Sequence, residues 1–315
     1  MIKARPALFA CVAWRVGSVR VEPQSRAKER IVDLAIVESG AEVDGVVIAL
    51  HGVTDSAATM ADLAAHWGSR WKVICVDLPS HGLSPRLDAE ALADPIGSAV
   101  AEVRRVVARW LYWSRDHQVV LYGHSMGGAI ATALAIKHPQ WVRGLVLEDP
   151  AILAPEQEER YRAEGAQRSA RNARALADPI AEARVQLTEH PNCSTAELGG
   201  WLQAKAQFDP AFTNAGKVGI TGRELLMKLT MPTLLVTGDQ ADCLFDEAAL
   251  TAAREANPMI TTAVVHGASH VVHRDDLTAF LQVCDDFMGH LPPVIGEQVA
   301  EAGQSSETGN PAAES

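Results

Sequence analysis

The chain has no apolar run near the 18 or so residues that a membrane-crossing helix needs, which excludes such a helix. It has no Cys-x-x-Cys. Its five cysteines, Cys11, Cys75, Cys193, Cys243 and Cys284, are scattered and odd in number, so neither a disulfide framework nor a thiolate zinc site is indicated. Basic charge is short: 28 Lys and Arg against 39 Asp and Glu leave a formal charge of −11. Glu297, Glu301, Glu307 and Glu314 lie in a tail without Lys or Arg, so nucleic acid and anionic membrane are poor partners. The short apolar stretch 7–14 is followed at once by Arg15 and by no Ala-x-Ala site, so it does not read as a secretory signal. A cytoplasmic location is expected.

What is present is ample apolar material, 48% of 315 residues, arranged in an alternating rhythm. Strand-like runs at Val46–Leu50, Val73–Val76, Val119–Tyr122, Leu145–Leu147, Thr233–Thr237 and Thr262–Val265 are separated by periodic stretches such as Ala57–Gly68, Ile96–Trp113 and Ala129–His138. That βαβα order predicts an α/β fold with a mostly parallel sheet and helices on both faces. Trp14–Val21 and Arg30–Glu38 read as an antiparallel lead-in.

Between Pro150 and about Leu229 strand signals give way to helix starts. Ala154-Pro155 precedes Glu156, Glu158 and Glu159; Asp178-Pro179 opens a second start; Ser194-x-x-Glu197 and Thr221-x-x-Glu224 fit capping boxes. These starts predict a helical insertion over 151–220, flanked by core segments 1–150 and 221–291, with the Thr221 helix leading back into the sheet. Residues 292–315 are too polar to offset the entropy of ordering and are expected to be a disordered acidic tail.

Gly123-His124-Ser125-Met126-Gly127-Gly128 stands between the apolar run Gln118–Tyr122 and a helix-like run. Glycines two residues either side of the serine permit a tight strand-to-helix turn that presents a hydroxyl at a helix N-terminus. Free N–H groups and the helix dipole there can stabilise an oxyanion. Ser125 is therefore a candidate nucleophile. It needs a base, and His270 follows a strand and a small-residue turn, His266-Gly267-Ala268-Ser269. His266 and His273 read as surface or capping residues, and no metal site is indicated. The base needs an acid. The strand Thr233–Thr237 leads into Asp239 and Asp242, and Leu145–Glu148 leads into Asp149; Asp242 is preferred, Asp149 is the alternative, and Asp239 reads better as a turn brace. The oxyanion donors expected are the N–H groups of Met126 and of Val53, the latter in the turn Leu50-His51-Gly52-Val53-Thr54-Asp55. His51 reads as a buried holder of that loop, and Glu148 as a wall residue.

These residues, with Val76-Asp77-Leu78-Pro79-Ser80-His81-Gly82-Leu83-Ser84, resemble the α/β-hydrolase family over about residues 30 to 290. The resemblance implies an eight-stranded sheet with an inserted helical cap, Ser125 as nucleophile, His270 as base and the acid at Asp242. The sequence departs twice: Gly238 to Asp242 is one residue longer than the common Gly-x-x-Asp spacing, which keeps Asp149 open, and Ser80 stands where glycine is usual.

The expected activity is hydrolysis of a carboxylic ester or lactone of a small, largely apolar substrate through an acyl-enzyme, needing no cofactor. Amidase, C–C hydrolase and cofactor-free perhydrolase chemistry, or a ligand-binding protein of the same fold, are the alternatives. Leu187, Leu198, Trp201, Leu202, Phe208 and Phe212 are candidates for an apolar pocket, although helical spacing favours packing of the insertion against the core for most of them; Trp201 is the foremost pocket candidate. The partner expected is a small molecule, and a homodimer is compatible with the sequence.

Overall fold

The computed structural model describes residues 33–292 apart from 42, 115 and 116. The lead-in strand at Trp14–Val21 and most of the tail lie outside the described residues. Strands are β1 (Ile36–Ser39), β2 (Val46–Leu50), β3 (Lys72–Val76), β4 (Val119–His124), β5 (Val142–Glu148), β6 (Ile152–Leu153), β7 (Ile220–Thr221), β8 (Thr233–Thr237) and β9 (Ile260–Val264). Helices are α1 (Ala61–Trp67), α2 (Pro95–Trp113), α3 (Met126–Lys137), α4 (Pro155–Ala163), α5 (Gly165–Ala177), α6 (Pro179–Glu189), α7 (Thr195–Gln207), α8 (Pro210–Asn214), α9 (Glu247–Ala256), α10 (Val272–Asp275) and α11 (Leu277–Gly289).

Seven strands form one sheet in the order β1-β3-β2-β4-β5-β8-β9, and β1 alone in it is antiparallel. Among the described residues the sheet therefore has seven strands, not the eight expected; β6 and β7 pair separately, at the two ends of the helical segment. Alternation on the central strands decides the two cores. Val46, Ile48 and Leu50 of β2 face α2, α3 and α9, while Val47 and Ala49 face α1 and α11. Continuous burial of β2, β4 and β8 is what a sheet covered on both faces requires.

Helices α4–α8 fill the stretch between β6 and β7. Their starts follow local chemistry. Asp178 accepts from the Ala181 N–H at 3.0 Å, Ser194 Oγ from the Glu197 N–H at 3.0 Å, and Asp209 from the Ala211 N–H at 3.0 Å. Thr221 is a correction: its hydroxyl donates to Glu158, and Gly222 at φ 103° opens the 3-10 turn Arg223–Lys228 instead. Helix α7 lies against the 3-10 turn Ala57–Met60, where a Cβ on Gly200 would meet the Ala58 carbonyl oxygen at 2.4 Å. No helix among the described residues is long and apolar enough to cross a membrane.

Candidate active site

Ser125 sits between β4 and α3 with φ 50°, ψ −114°, a left-handed conformation that costs a non-glycine residue free energy. It survives because the surroundings fix it. The Ser125 N–H donates to the Glu148 carbonyl at 2.9 Å, and its own carbonyl accepts from the N–H of Ala151 at 2.8 Å and of Ala129 at 3.1 Å. The flanking glycines are required by close approach. A Cβ on Gly123 would lie 2.4 Å from the Gly127 carbonyl oxygen, and one on Gly127 2.2 Å from that of Leu50. The second contact seats the loop after β2 against the start of α3.

His270 Nε2 lies 2.9 Å from Ser125 Oγ, and its Nδ1 lies 2.5 Å from Asp149 Oδ2. Burial pulls the His270 pKa down, but the hydrogen bond and charge of Asp149, with Asp242 and Glu148 beyond, outweigh it and raise the pKa above the ordinary histidine value. Asp149 is fully buried at the end of β5. Its Oδ1 accepts from the Thr237 hydroxyl at 2.8 Å and the Phe245 N–H at 3.2 Å, and its Oδ2 accepts from the Leu244 N–H at 2.8 Å. A buried carboxylate so surrounded has its acceptor oxygens satisfied.

The carboxylate on the imidazole is thus Asp149, which corrects the preference for Asp242. Asp242 is exposed, and it meets His270 through the backbone, accepting the His270 N–H at 3.3 Å. The loop after β8 supplies two N–H groups to the Asp149 carboxylate rather than a carboxylate of its own. Asp239 braces the turn beyond β9, accepting from the Gly267 N–H at 2.8 Å beside His266 at 3.0 Å. His51 Nε2 accepts the Leu78 N–H at 3.0 Å and its Nδ1 faces the Gly52 carbonyl at 2.7 Å, tying the loop after β2 to the one after β3. Ser80, where glycine is usual, takes φ 66°, with its hydroxyl accepting from the Leu87 N–H at 3.0 Å.

A cavity of about 820 Å³ opens over Ser125 and His270, with Val53 in its wall. Met126 is buried at the first position of α3, where its N–H has no partner in the first turn. Trp201 lines the cavity as expected, but the other apolar candidates do not. Phe208 and Phe212 pack on His81 at ring distances of 5.0 and 4.9 Å, and Leu187 is 41% exposed. Instead α5, α6 and α7 turn Arg171, Asn172, Gln186 and Lys205 toward the cavity.

Sequence reasoning also missed a buried charge network beneath the site. Glu148 holds the His273 Nδ1 at 2.8 Å and the Tyr122 hydroxyl; His273 Nε2 lies 3.2 Å from Glu197, outside hydrogen-bond geometry. Glu197 accepts from Arg274 Nε at 2.7 Å, Arg274 lies 3.4 Å from Asp55, and Asp55 lies 3.7 Å from Lys205. Burial opposes the charge on His273, yet Glu148 and Glu197 raise its pKa to about 10. Burial acts on Lys205 in the other direction to its Asp55 partner and wins, lowering the pKa to about 8. His124, beneath Gly52, is held down to about 4 by burial against the pull of Glu148. The available signal was the stripe Glu197, Trp201, Lys205, four residues apart and hence on one helix face.

A strained serine at a strand-to-helix turn, bonded to a histidine that is bonded to a buried aspartate, on a parallel sheet flanked by helices, defines an α/β-hydrolase of the serine hydrolase class. The sequence signature of the serine aminopeptidase S33 family matches residues 41–276, and the chain belongs to that family. It is 26% identical to the pimeloyl-[acyl-carrier protein] methyl ester esterase of Aeromonas hydrophila over 253 residues, 77% of this chain and 95% of that one. A serine hydrolase-like protein of Danio rerio is 38% identical over 104 residues, a match spanning 33% of this chain and 30% of its own length. The crystal structure of E-2-(acetamidomethylene)succinate hydrolase superposes with a TM-score of 0.65 at 21% identity, covering 88% of this chain and all of the other. The protein is an enzyme of the α/β-hydrolase family with esterase and hydrolase relatives.

Proposed function

We propose that this enzyme hydrolyses a carboxylic ester or lactone through an acyl-enzyme on Ser125. The observation that carries the reading is the continuous line from Ser125 Oγ through His270 to Asp149, at 2.9 and 2.5 Å. In the proposed cycle Ser125 Oγ attacks the acyl carbonyl as its proton passes to His270 Nε2. Asp149 keeps its charge, accepts the Nδ1–H and stabilises the imidazolium. The N–H groups of Val53 and Met126 take the oxyanion. The tetrahedral adduct collapses, Nε2–H protonates the departing alcohol, and water repeats the sequence against the acyl-enzyme to free the acid and Ser125.

Helices α4–α8 act as a cap whose inner wall selects the substrate. With Arg171, Asn172 and Gln186 on that wall, the reading shifts from a largely apolar substrate to one bearing polar substituents. The structural neighbour that hydrolyses 2-(acetamidomethylene)succinate takes a polar cargo, which supports this reading. The test is a panel of p-nitrophenyl esters, lactones and anilides, with neutral and carboxylate-bearing acyl groups, on wild type and Ser125→Ala. Wild type is expected to cleave the esters, and Ser125→Ala to lose about three or more orders of magnitude in kcat while still folding. Undiminished turnover in Ser125→Ala defeats the proposal.

A further inference from the structure

The turn after β2 contains another strained residue. Thr54 takes φ 66°, and a β-branched side chain in the left-handed region is an outlier that persists only where its surroundings over-determine it. The over-determination comes from a distant part of the chain. Lys205 Nζ, on α7, donates to the Thr54 carbonyl at 2.9 Å and lies 3.0 Å from the Thr54 hydroxyl.

The lysine is itself held. It is buried, its ammonium lies 4.6 Å from the centre of the Trp201 ring and 3.7 Å from Asp55, and its carbonyl accepts from Asn172 at 3.1 Å. Asp55 continues through Arg274 to Glu197 and His273, so the same chain of charges reaches α10, directly after His270. A buried ammonium that spends two donors on one residue of an active-site loop does so at the cost of dehydration, and simple cap attachment does not need it.

We infer that Lys205 is a positioning residue for acyl transfer: by gripping Thr54 it sets the turn that carries the adjacent Val53 N–H, so that the oxyanion hole is formed only while α7 is seated. The inference rests on the acyl-enzyme reading above. It makes the cap a component of the catalytic geometry as well as of substrate selection. Transition-state stabilisation depends on donors fixed where charge will develop, so a loosened turn costs turnover more than ground-state binding.

The experiment is steady-state hydrolysis of an activated ester that wild type cleaves. Lys205→Met is expected to lower kcat about 10- to 100-fold, less than deletion of an oxyanion donor, with KM within about threefold. Lys205→Arg should recover part of the loss. Thr54→Val deletes the hydroxyl and leaves each buried charge its partner; kcat is expected to fall about 3- to 10-fold with KM unchanged, and the lost hydrogen bond to lower the unfolding temperature without preventing folding. An unchanged kcat with a raised KM in Lys205→Met overturns the inference and makes Lys205 a substrate ligand. Wild-type kinetics in Thr54→Val also overturn it, and that variant decides the matter if Lys205→Met does not fold. Ser125→Ala in the same assay separates the two readings: turnover retained there removes the acyl-enzyme, whatever Lys205 does.

Discussion

At the scale of single residues, the site is built from side chains whose neighbours leave them one arrangement. Ser125 is strained at φ 50° and braced by three backbone hydrogen bonds, and Asp149, at φ 35°, turns from the end of β5 into a nest of donors. Asp149→Asn is expected to lower kcat by about 10⁴-fold, because the amide favours the wrong imidazole tautomer. Asp242→Asn should stay within about tenfold of wild type, since that carboxylate reaches His270 only at the backbone N–H. Equal losses in the two variants, measured with one ester, count against the assignment. In the proposed cycle the base acts as neutral imidazole, so kcat/KM should rise with pH through the His270 pKa, with a midpoint above the ordinary histidine value. Asp242 contributes to that elevation, and Asp242→Asn should move the midpoint down. The juxtaposition of Ser125 and His270 was legible in the sequence because each sits at a fixed offset from its own strand. The acid was not: Asp149 and Asp242 both follow strand ends, and only burial and the donors from Thr237, Leu244 and Phe245 tell them apart.

At the scale of elements, periodicity was an accurate guide wherever local signals and packing agree. β2 and β8 run over the residues expected, and α2 begins one residue earlier, at Pro95 behind the Asp94 cap. The misreadings fall where tertiary partners compete. Thr221 gives its hydroxyl to Glu158 rather than to a helix, and Glu197 gives its carboxylate to Arg274 rather than closing a capping box. Phe208 and Phe212 are no misreading: their helical spacing favoured core packing, and they lie in the core under His81. Element contact also constrains the strand-to-helix turn at Ser125. Gly127→Ala would place a methyl 2.2 Å from the Leu50 carbonyl oxygen and 2.8 Å from that of His51. Separation of α3 from the loop after β2 is expected to cost at least about 1–3 kcal/mol in urea unfolding, with a fall in kcat as the Val53 turn moves. Wild-type stability in that variant counts against the close packing described.

At the scale of the whole molecule, the sheet's carboxyl ends, helix α7 and the α10 region are joined by one alternating set of buried charges, Glu148, His273, Glu197, Arg274, Asp55 and Lys205. Glu148 is held down to about 2, burial being outweighed by His273 and His124, so its contribution is present above about pH 4.5 and is lost as pH falls toward 2. His273 is held up to about 10, so its contribution is complete below about pH 6.5 and is lost as pH rises through 10. Calorimetry should therefore show an unfolding temperature that declines from pH 6.5 to 10. In His273→Gln that decline should shrink, on a protein destabilised by about 3–5 kcal/mol by the unpaired Glu148. By itself the sequence determined the layered α/β architecture, the turn that exposes Ser125 and the loop that carries His270, because these depend on periodicity and on glycine at fixed offsets. Tertiary structure alone decided which carboxylate serves His270, what lines the cavity and that Lys205 grips Thr54, because burial and contact between residues 121 and 151 positions apart leave no local pattern to read.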